Sequence, residues 1–412
     1  MVTVSHPTGN ANVRAVLDGL EAAGLLECFC TAIATYPGNT FDKLSRFGPF
    51  ADFKRRSFSP AIEMHTHVYP WLELGRLVAM RLGLKNLTRH ETGMLSVDAV
   101  YHYLDRRVAA RLRRKPTQAI YAYEDGAVAS FEMARRLGQT TLYDLPIGYW
   151  RASRKLLGEV SERNPEWAMT IKGMLDSDAK LARKDREIAL ADHIYVASSF
   201  TAETLQAYPG ELPPVSVIPY GYPTPVTGRR YPAPGNRPLR LLFVGGLSQR
   251  KGLVEMFEAV APLGRSVELT VVGRLPEADC PALNEYLARH THVSSLPHAE
   301  ILQLMQQHDV LLFPSHFEGF GLVITEAMSQ GTPVITTERT AGPDLITHGQ
   351  DGWIVPAGSA TAITEQLDRL LVRPETVAEA GQAAIRTAGL RPWSKYGNEL
   401  AESITKRVLR YA

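Results

Sequence analysis

Two spacings of apolar residues alternate along this chain. Short apolar runs read as buried strands: Met1–Ser5, Phe29–Tyr36, Ala119–Tyr123, Thr140–Asp144, Asp192–Ala197 and Val215–Pro219 in the first half. Leu239–Gly245, Val267–Gly273, Val293–Leu296, Val310–Phe313, Val334–Thr336 and Gly352–Val355 continue the series in the second. Between them apolar positions recur every three or four residues, which predicts helices. Examples are Val13, Val16, Leu17 and Leu20, then Trp71, Leu72, Leu74, Leu77 and Met80, and later Leu253–Ala261, Leu322–Met328 and Ala360–Leu371. A long helical stretch is expected to end near Ala191. Strand–helix alternation of this kind predicts an α/β protein whose parallel sheets carry helices on both faces.

The alternation breaks once. Between Tyr222 and Pro238, Pro223, Pro225, Gly228, Pro232, Pro234, Gly235 and Pro238 crowd together, a linker composition. At 412 residues the chain exceeds what one core usually spans. The expected organisation is therefore a domain over 1–222, a linker over 223–238 and a second domain over 239–392.

Composition narrows the function classes. A net charge of +2 gives no global case for a nucleic-acid partner. Three cysteines are too few for a disulfide framework or a zinc site, and Cys28 and Cys30, read as pointing to opposite faces of a strand, are expected not to pair. No apolar run is long enough to span a membrane, and no secretion signal is visible, so a cytoplasmic location is expected. The segment Leu104–Pro116 carries six basic residues on a predicted helix. A solvated face accounts for it; contact with anionic lipid at the inner membrane face, or with a phosphorylated acceptor, is the alternative. Asp176 and Asp178 precede a helical pattern rather than ending a strand, so they read as cap or surface charge and no metal site is expected. No G-x-G-x-x-G fingerprint is present, so no hydride-transfer cofactor is expected.

Candidate chemistry gathers in Val310–Thr337. An apolar run ends at Pro314, a loop holds Glu318, Gly319 and Gly321, a helix follows, and Pro333 opens a second apolar run. Upstream, Arg250 and Lys251 lie between a strand and a helix, where two cations can neutralise a pyrophosphate. Phe320, Gly321 and Leu322 at a helix N-terminus can offer backbone N–H groups to the same phosphate. Glu326, one turn into that helix, suits vicinal hydroxyls such as those of a ribose, and Glu318 suits a hexose or acceptor hydroxyl. Taken singly each is surface charge or a helix-end acid; together they describe a site for a sugar joined to a nucleotide by a diphosphate. In the first half, the loop His6–Asn10 feeds a helix N-terminus, where Gly9 is a candidate to meet an anion or a hydroxyl-rich ligand, although taken alone the loop reads as an ordinary turn. Ser199 and Thr201 are the expected caps of the helix after Ser198.

These residues resemble the family 4 retaining glycosyltransferases. Glu318 and Glu326 stand at the two ends of an E-x7-E pattern, Gly245, Leu247, Lys251 and Gly252 match the family's V-G-x-L-x-x-x-K-G loop, and Pro314–Leu322 matches P-S-x-x-E-G-F-G-L. The resemblance implies the GT-B fold, two Rossmann-like domains facing across a cleft, with the segment 393–412 crossing back to the first. It implies that Lys251, in the loop with Gly245 and Gly246, binds the donor diphosphate, that Glu326 meets the ribose, that Glu318 and the backbone near Phe320–Leu322 hold the transferred sugar, and that Val272, Gly273 and Arg274 lie beside the base. The sequence departs from many relatives at Gly246, where they carry arginine, and at Tyr123-Glu124-Asp125, where they often place a histidine. Arg250 is the expected substitute for the first, and Asp125 (or Glu124) for the second.

The expected activity is thus metal-independent retaining transfer of a hexose from a nucleotide-diphosphate sugar, a substrate rather than a cofactor, to an acceptor hydroxyl. Glu318, Lys251, Arg250 and Asp125 are the catalytic candidates. A nucleotide-sugar epimerase of similar fold and a non-catalytic sugar-nucleotide-binding subunit are the alternatives. Sugar, base, acceptor and oligomeric state are not written in the sequence.

Overall fold

The computed structural model describes residues 1–171, 175–231 and 237–408. Pro232, Pro234 and Gly235 of the expected linker, and the end of the 393–412 segment, lie outside the described residues.

Two parallel sheets organise the chain. The first has seven strands: β1 (Val2–Ser5), β2 (Leu26–Thr31), β3 (Thr66–Val68), β4 (Ala119–Tyr123), β5 (Thr140–Leu145), β6 (His193–Val196) and β7 (Val215–Val217). Their order is β3-β2-β1-β4-β5-β6-β7. The second has six: β8 (Leu239–Val244), β9 (Val267–Val272), β10 (Thr291–Val293), β11 (Val310–Phe313), β12 (Val334–Thr337) and β13 (Gly352–Val355), ordered β10-β9-β8-β11-β12-β13. Strand order reverses between β1 and β4 in one sheet and between β8 and β11 in the other. Loops leaving the carboxyl ends of such a pair diverge to opposite faces and open a crevice, the usual ligand position in open α/β sheets.

Burial explains why these runs are strands. β1, β4, β11 and β12 are buried at every position, as parallel strands covered on both faces must be. Several expectations need correction. The second strand ends at Thr31, not Tyr36: Ala32–Tyr36 is equally buried but leaves the sheet, and Ala32 donates instead to the Pro7 carbonyl. Apolar runs report burial, not extended pairing. The tenth strand is Thr291–Val293 rather than Val293–Leu296. The long helix toward Ala191 is broken into Trp150–Arg163 and Asp178–Leu190, the latter capped by Ser177. Ser198, rather than Ser199 or Thr201, caps Ser199–Thr204, its side chain accepting from the Thr201 N–H. Cys28 and Cys30 share one face of β2, as residues two apart in a strand must; their sulfurs are 3.5 Å apart and both remain free thiols.

Two chain crossings join the halves, and they touch. Arg391 donates to the carbonyls of Pro219 and Tyr220, and Tyr222 N–H donates to the Arg391 carbonyl at 2.8 Å. The helix Trp393–Val408 then returns to the first sheet and packs on Ala11–Ala22. There Gly19 and Gly397 face each other so closely that a Cβ on either collides with the other helix's backbone. The proline-rich stretch is no free linker in its described part: Arg229 donates to the carbonyls of Met305 and His308, and Tyr231 donates to Gly331, all on the second domain.

Candidate functional site

The crevice of the second sheet collects most of the sequence candidates. Behind β8, a single 3-10 turn, Gln249–Lys251, is capped by Ser248 and closed by Gly252 in the left-handed region (φ +72°). Gly252 is required here twice over, since a Cβ would also run into the Pro314 carbonyl at the end of β11. That tight approach brings Lys251 across to the β11 loop. Its ammonium lies 4.5 Å from the Phe313 ring centre and in direct contact with the Glu318 carboxylate. Arg250 reaches the same carboxylate oxygen at 2.9 Å and the Phe317 carbonyl at 2.6 Å.

Two cations therefore share one carboxylate, leaving a positive charge in excess in a nearly dry place. Burial, and then the neighbouring Arg250, push the Lys251 ammonium down from its ordinary range; contact with Glu318 counters that push and favours the charged form. Burial likewise pulls the Arg250 guanidinium down to about 10. A poorly solvated, under-neutralised cation pair is the kind of place that can hold an anion.

Gly245 and Gly273 end β8 and β9 side by side, a Cβ on Gly273 colliding with the Gly245 carbonyl. Leu247 N–H donates to the Arg274 carbonyl at 3.3 Å, while the Arg274 side chain is exposed. Nothing lies within 4 Å of a Cβ built on Gly246, so the loop is open there. Gly321, at φ +88°, caps the helix Leu322–Ser329. Ile324 N–H donates to the Gly321 carbonyl at 2.9 Å, and Glu318 Cγ lies 3.5 Å from a Cβ built on Gly321. Glu326, in the second turn of that helix, is 3.0 Å from His298 Nε2 and no ion pair links it to Lys251 among the described residues.

The Glu318–Gly321 loop is also an interdomain clasp. Ser198 and Thr201 hydroxyls both donate to the Gly319 carbonyl, at 2.5 and 2.9 Å. A Cβ on Gly319 would collide with the Pro146 carbonyl. Phe317 is buried against Phe200, ring centres 5.4 Å apart, and Phe320 against Tyr220 at 4.7 Å. Asp344 accepts from the Ser199 N–H at 2.8 Å and from its hydroxyl.

Gly9 and Asp125 sit at the crevice of the first sheet, after β1 and β4, where no described contact joins them to the cation pair. Phe58 fills the space over Gly9, so a Cβ there would meet its ring. Asp125 (φ +70°) takes part in an ion network: Lys180 is 3.7 Å away and Lys184 3.9 Å, and Glu187 accepts from its backbone N–H. Burial raises Glu124 to about 7 in spite of Lys184 at 3.2 Å. His90, Glu91 and Asp176 come together near this network, the last tied to Lys180 at 3.3 Å.

Sequence reading missed two supports. His316 is fully buried and pairs with Glu255 at 2.9 Å; Gln249 donates to the same carboxylate at 2.9 Å. This triplet fastens the β11 loop to the Lys251 turn. Its only signal was position: His316 falls on an unspecified residue between Ser315 and Glu318. Asp144 is the second, buried at the end of β5 and accepting from the Tyr121 hydroxyl, with Tyr123, Tyr220 and Tyr396 around it.

This architecture is the GT-B fold, two Rossmann-like α/β domains set against each other. Sucrose-phosphate synthase from Thermosynechococcus elongatus superposes with a TM-score of 0.65 at 19% identity, over 100% of this chain and 99% of that one. HepE from Anabaena, solved in complex with UDP, superposes at 0.63 with 16% identity over 98% and 99%. Residues 229–387 match the family model "Glycosyl transferases group 1". Over part of the chain, sequence relatives include the capsular polysaccharide biosynthesis glycosyltransferase CapM of Staphylococcus aureus, 32% identical over 31% of this chain and 36% of that protein. Glycogen synthase of Mycobacterium tuberculosis is 31% identical over 42% and 45%. The chain thus spans less than half the length of these curated relatives.

Proposed function

We propose that this protein transfers a hexose, with retention of anomeric configuration, from a nucleoside-diphosphate sugar to an acceptor hydroxyl held between the domains. The observation that carries the reading is the partly buried Arg250–Lys251–Glu318 cluster at the switch point of the second sheet. In transfer, negative charge grows on the departing diphosphate while the anomeric carbon becomes cationic. Lys251, Arg250 and the N-terminus of Leu322–Ser329 would stabilise the first, in a site where low polarity strengthens each interaction and no metal is called for. Phe320, Gly321 and Leu322 supply N–H groups, Glu326 holds the ribose, and Gly245, Gly246, Gly273 and Arg274 frame the rest of the nucleotide.

Glu318 has a double part in this scheme. Without donor it takes the phosphate's place on the two cations; with donor bound it turns to the sugar. A same-face displacement, in which a leaving phosphate oxygen takes the acceptor proton, needs no enzyme nucleophile and is the mechanism that the family resemblance implies. The nucleotide-sugar complexes of HepE and the polysaccharide setting of CapM are in keeping with this class of chemistry. Incubating the protein with radiolabelled UDP-, GDP- and ADP-hexoses tests it. Release of nucleoside diphosphate with transfer or hydrolysis of the sugar is expected; isomerisation alone, or binding alone, would overturn it.

A further inference from the structure

The described surface is uneven in one respect. Eleven of the 21 large apolar side chains exposed among the described residues fall between Phe47 and Val97, a small fraction of the chain. Their core is the helix Trp71–Arg81 and the turns after it, and this helix is built inside out. Its buried polar residue is Glu73, neutralised by Arg76 at 2.7 Å and by Arg56. Trp71, meanwhile, is 74% exposed, and Val78 and Leu82 follow on the same side at seven- and eleven-residue spacing. An amphipathic helix in a self-sufficient fold does the reverse.

The patch is continuous. Gly75 packs against Leu95, and Leu95 N–H donates to the Leu87 carbonyl at 2.8 Å, which sets Met94 (79% exposed) and Leu87 beside the helix. Arg81 lies over the Phe50 ring at 5.7 Å and so joins the helix end to the Phe47–Phe50 turn. Cations are interleaved throughout: Phe41–Val97 holds nine Lys and Arg against five Asp and Glu, in a chain whose total is only +2. Exposed Arg81, Lys85 and Arg89 alternate with Leu82, Leu84 and Leu87.

We infer that this face docks on an anionic lipid bilayer, with Trp71, Leu82 and Leu87 entering the interface and Arg81, Lys85 and Arg89 meeting the headgroups. Apolar anchors with a tryptophan, set among cations, fit such a surface on both counts. A cavity of about 650 Å³ opens beside it, lined by Lys85, Arg89, His90 and Asp176 from the first domain and Glu277 from the second. On the glycosyl-transfer reading, an acceptor carried on lipid would enter the cleft there; the docking itself does not depend on that reading. The face is distinct from the exposed basic end of the helix Val97–Arg114.

Co-sedimentation of the full chain with vesicles tests the inference. The protein is expected to pellet with equimolar phosphatidylcholine and phosphatidylglycerol but not with phosphatidylcholine alone, and to be released as salt rises. Trp71→Ser with Leu82→Ser, and separately Arg81→Glu with Lys85→Glu, should each lower partitioning at least about tenfold. All four side chains are exposed, so melting temperature should be kept, and a folded double variant that still binds fully overturns the proposal. So does wild type that ignores both vesicles, that binds both equally, or whose apolar face is covered by a second copy, seen as a dimer that Trp71→Ser with Leu82→Ser dissolves. Nucleotide-sugar turnover on soluble acceptors reads the transfer reaction separately, so either idea can fail without the other.

Discussion

At the switch point of the second sheet, Arg250 and Lys251 meet a single carboxylate and keep a positive charge in hand. At that of the first sheet, Glu124, Asp125, Asp98 and Asp176 are met by Lys180 and Lys184, and Phe58 closes over Gly9. Topology makes the same crevice twice, and the side chains give one an excess of cations and the other an excess of carboxylates around two lysines. The first is the kind of place a constant feature of many donors, a diphosphate, would use.

The largest expected effect tests the asymmetry directly. Lys251→Ala should lower turnover of a nucleotide sugar by a factor on the order of 100 to 1,000, the usual loss when one group stabilising developing negative charge is removed. Asp125→Asn should cost far less if the first crevice holds its ligand by shape and many contacts. Single-turnover rates for both variants decide it, and near-normal rates for Lys251→Ala would remove the diphosphate assignment.

Next comes the geometry that delivers Lys251. Gly252→Ala meets both a left-handed backbone and the Pro314 carbonyl, and a loss of about 3 kcal/mol in denaturant unfolding is expected.

A third effect, in the first domain, is read by pH. Burial raises Asp144 to about 7 from an ordinary 3.8. Between those values the native state binds its proton more tightly than the unfolded state. Its contribution to stability is therefore full below about pH 4, falls as pH rises toward 7, and is flat above, with a slope of at most about 1.4 kcal/mol per pH unit. Asp144→Asn should flatten that part of the curve in urea titrations from acid to neutral pH. An unchanged slope would mean that the carboxyl is ionised in the fold.

Smallest of all, Gly246→Ala should change stability by less than about 0.5 kcal/mol, because the space beyond it is open. A large loss in a thermal melt would show that the second crevice is less open than Gly252 and Gly246 together describe.

Legibility followed distance along the chain. The β11–helix–β12 unit is a local object: Pro314, Glu318, Gly321 and Glu326 lie within thirteen residues, and their chemistry could be read as a group. The helix Glu375–Leu390 went unread because its buried side is Val377, Ala380, Gly381, Ala384 and Ala388, small residues whose spacing carries little hydrophobic contrast. Only its partner explains it: Gly381 faces the Tyr231 hydroxyl and the Gly331 carbonyl too closely for any side chain. The helix Trp71–Arg81 was legible as an apolar helix, but its spacing did not tell that Trp71, Val78 and Met80 stay exposed.

By itself, the sequence determined the layered α/β class and the groups of the second crevice, because periodicity and short motifs act through neighbours in the chain. Only the tertiary structure decided that Glu318 rests on both Arg250 and Lys251 and that Gly319 is clasped by Ser198 and Thr201. Those contacts join residues 67, 68 and more than 100 positions apart. Their existence depends on the packing of whole domains, which no local pattern encodes.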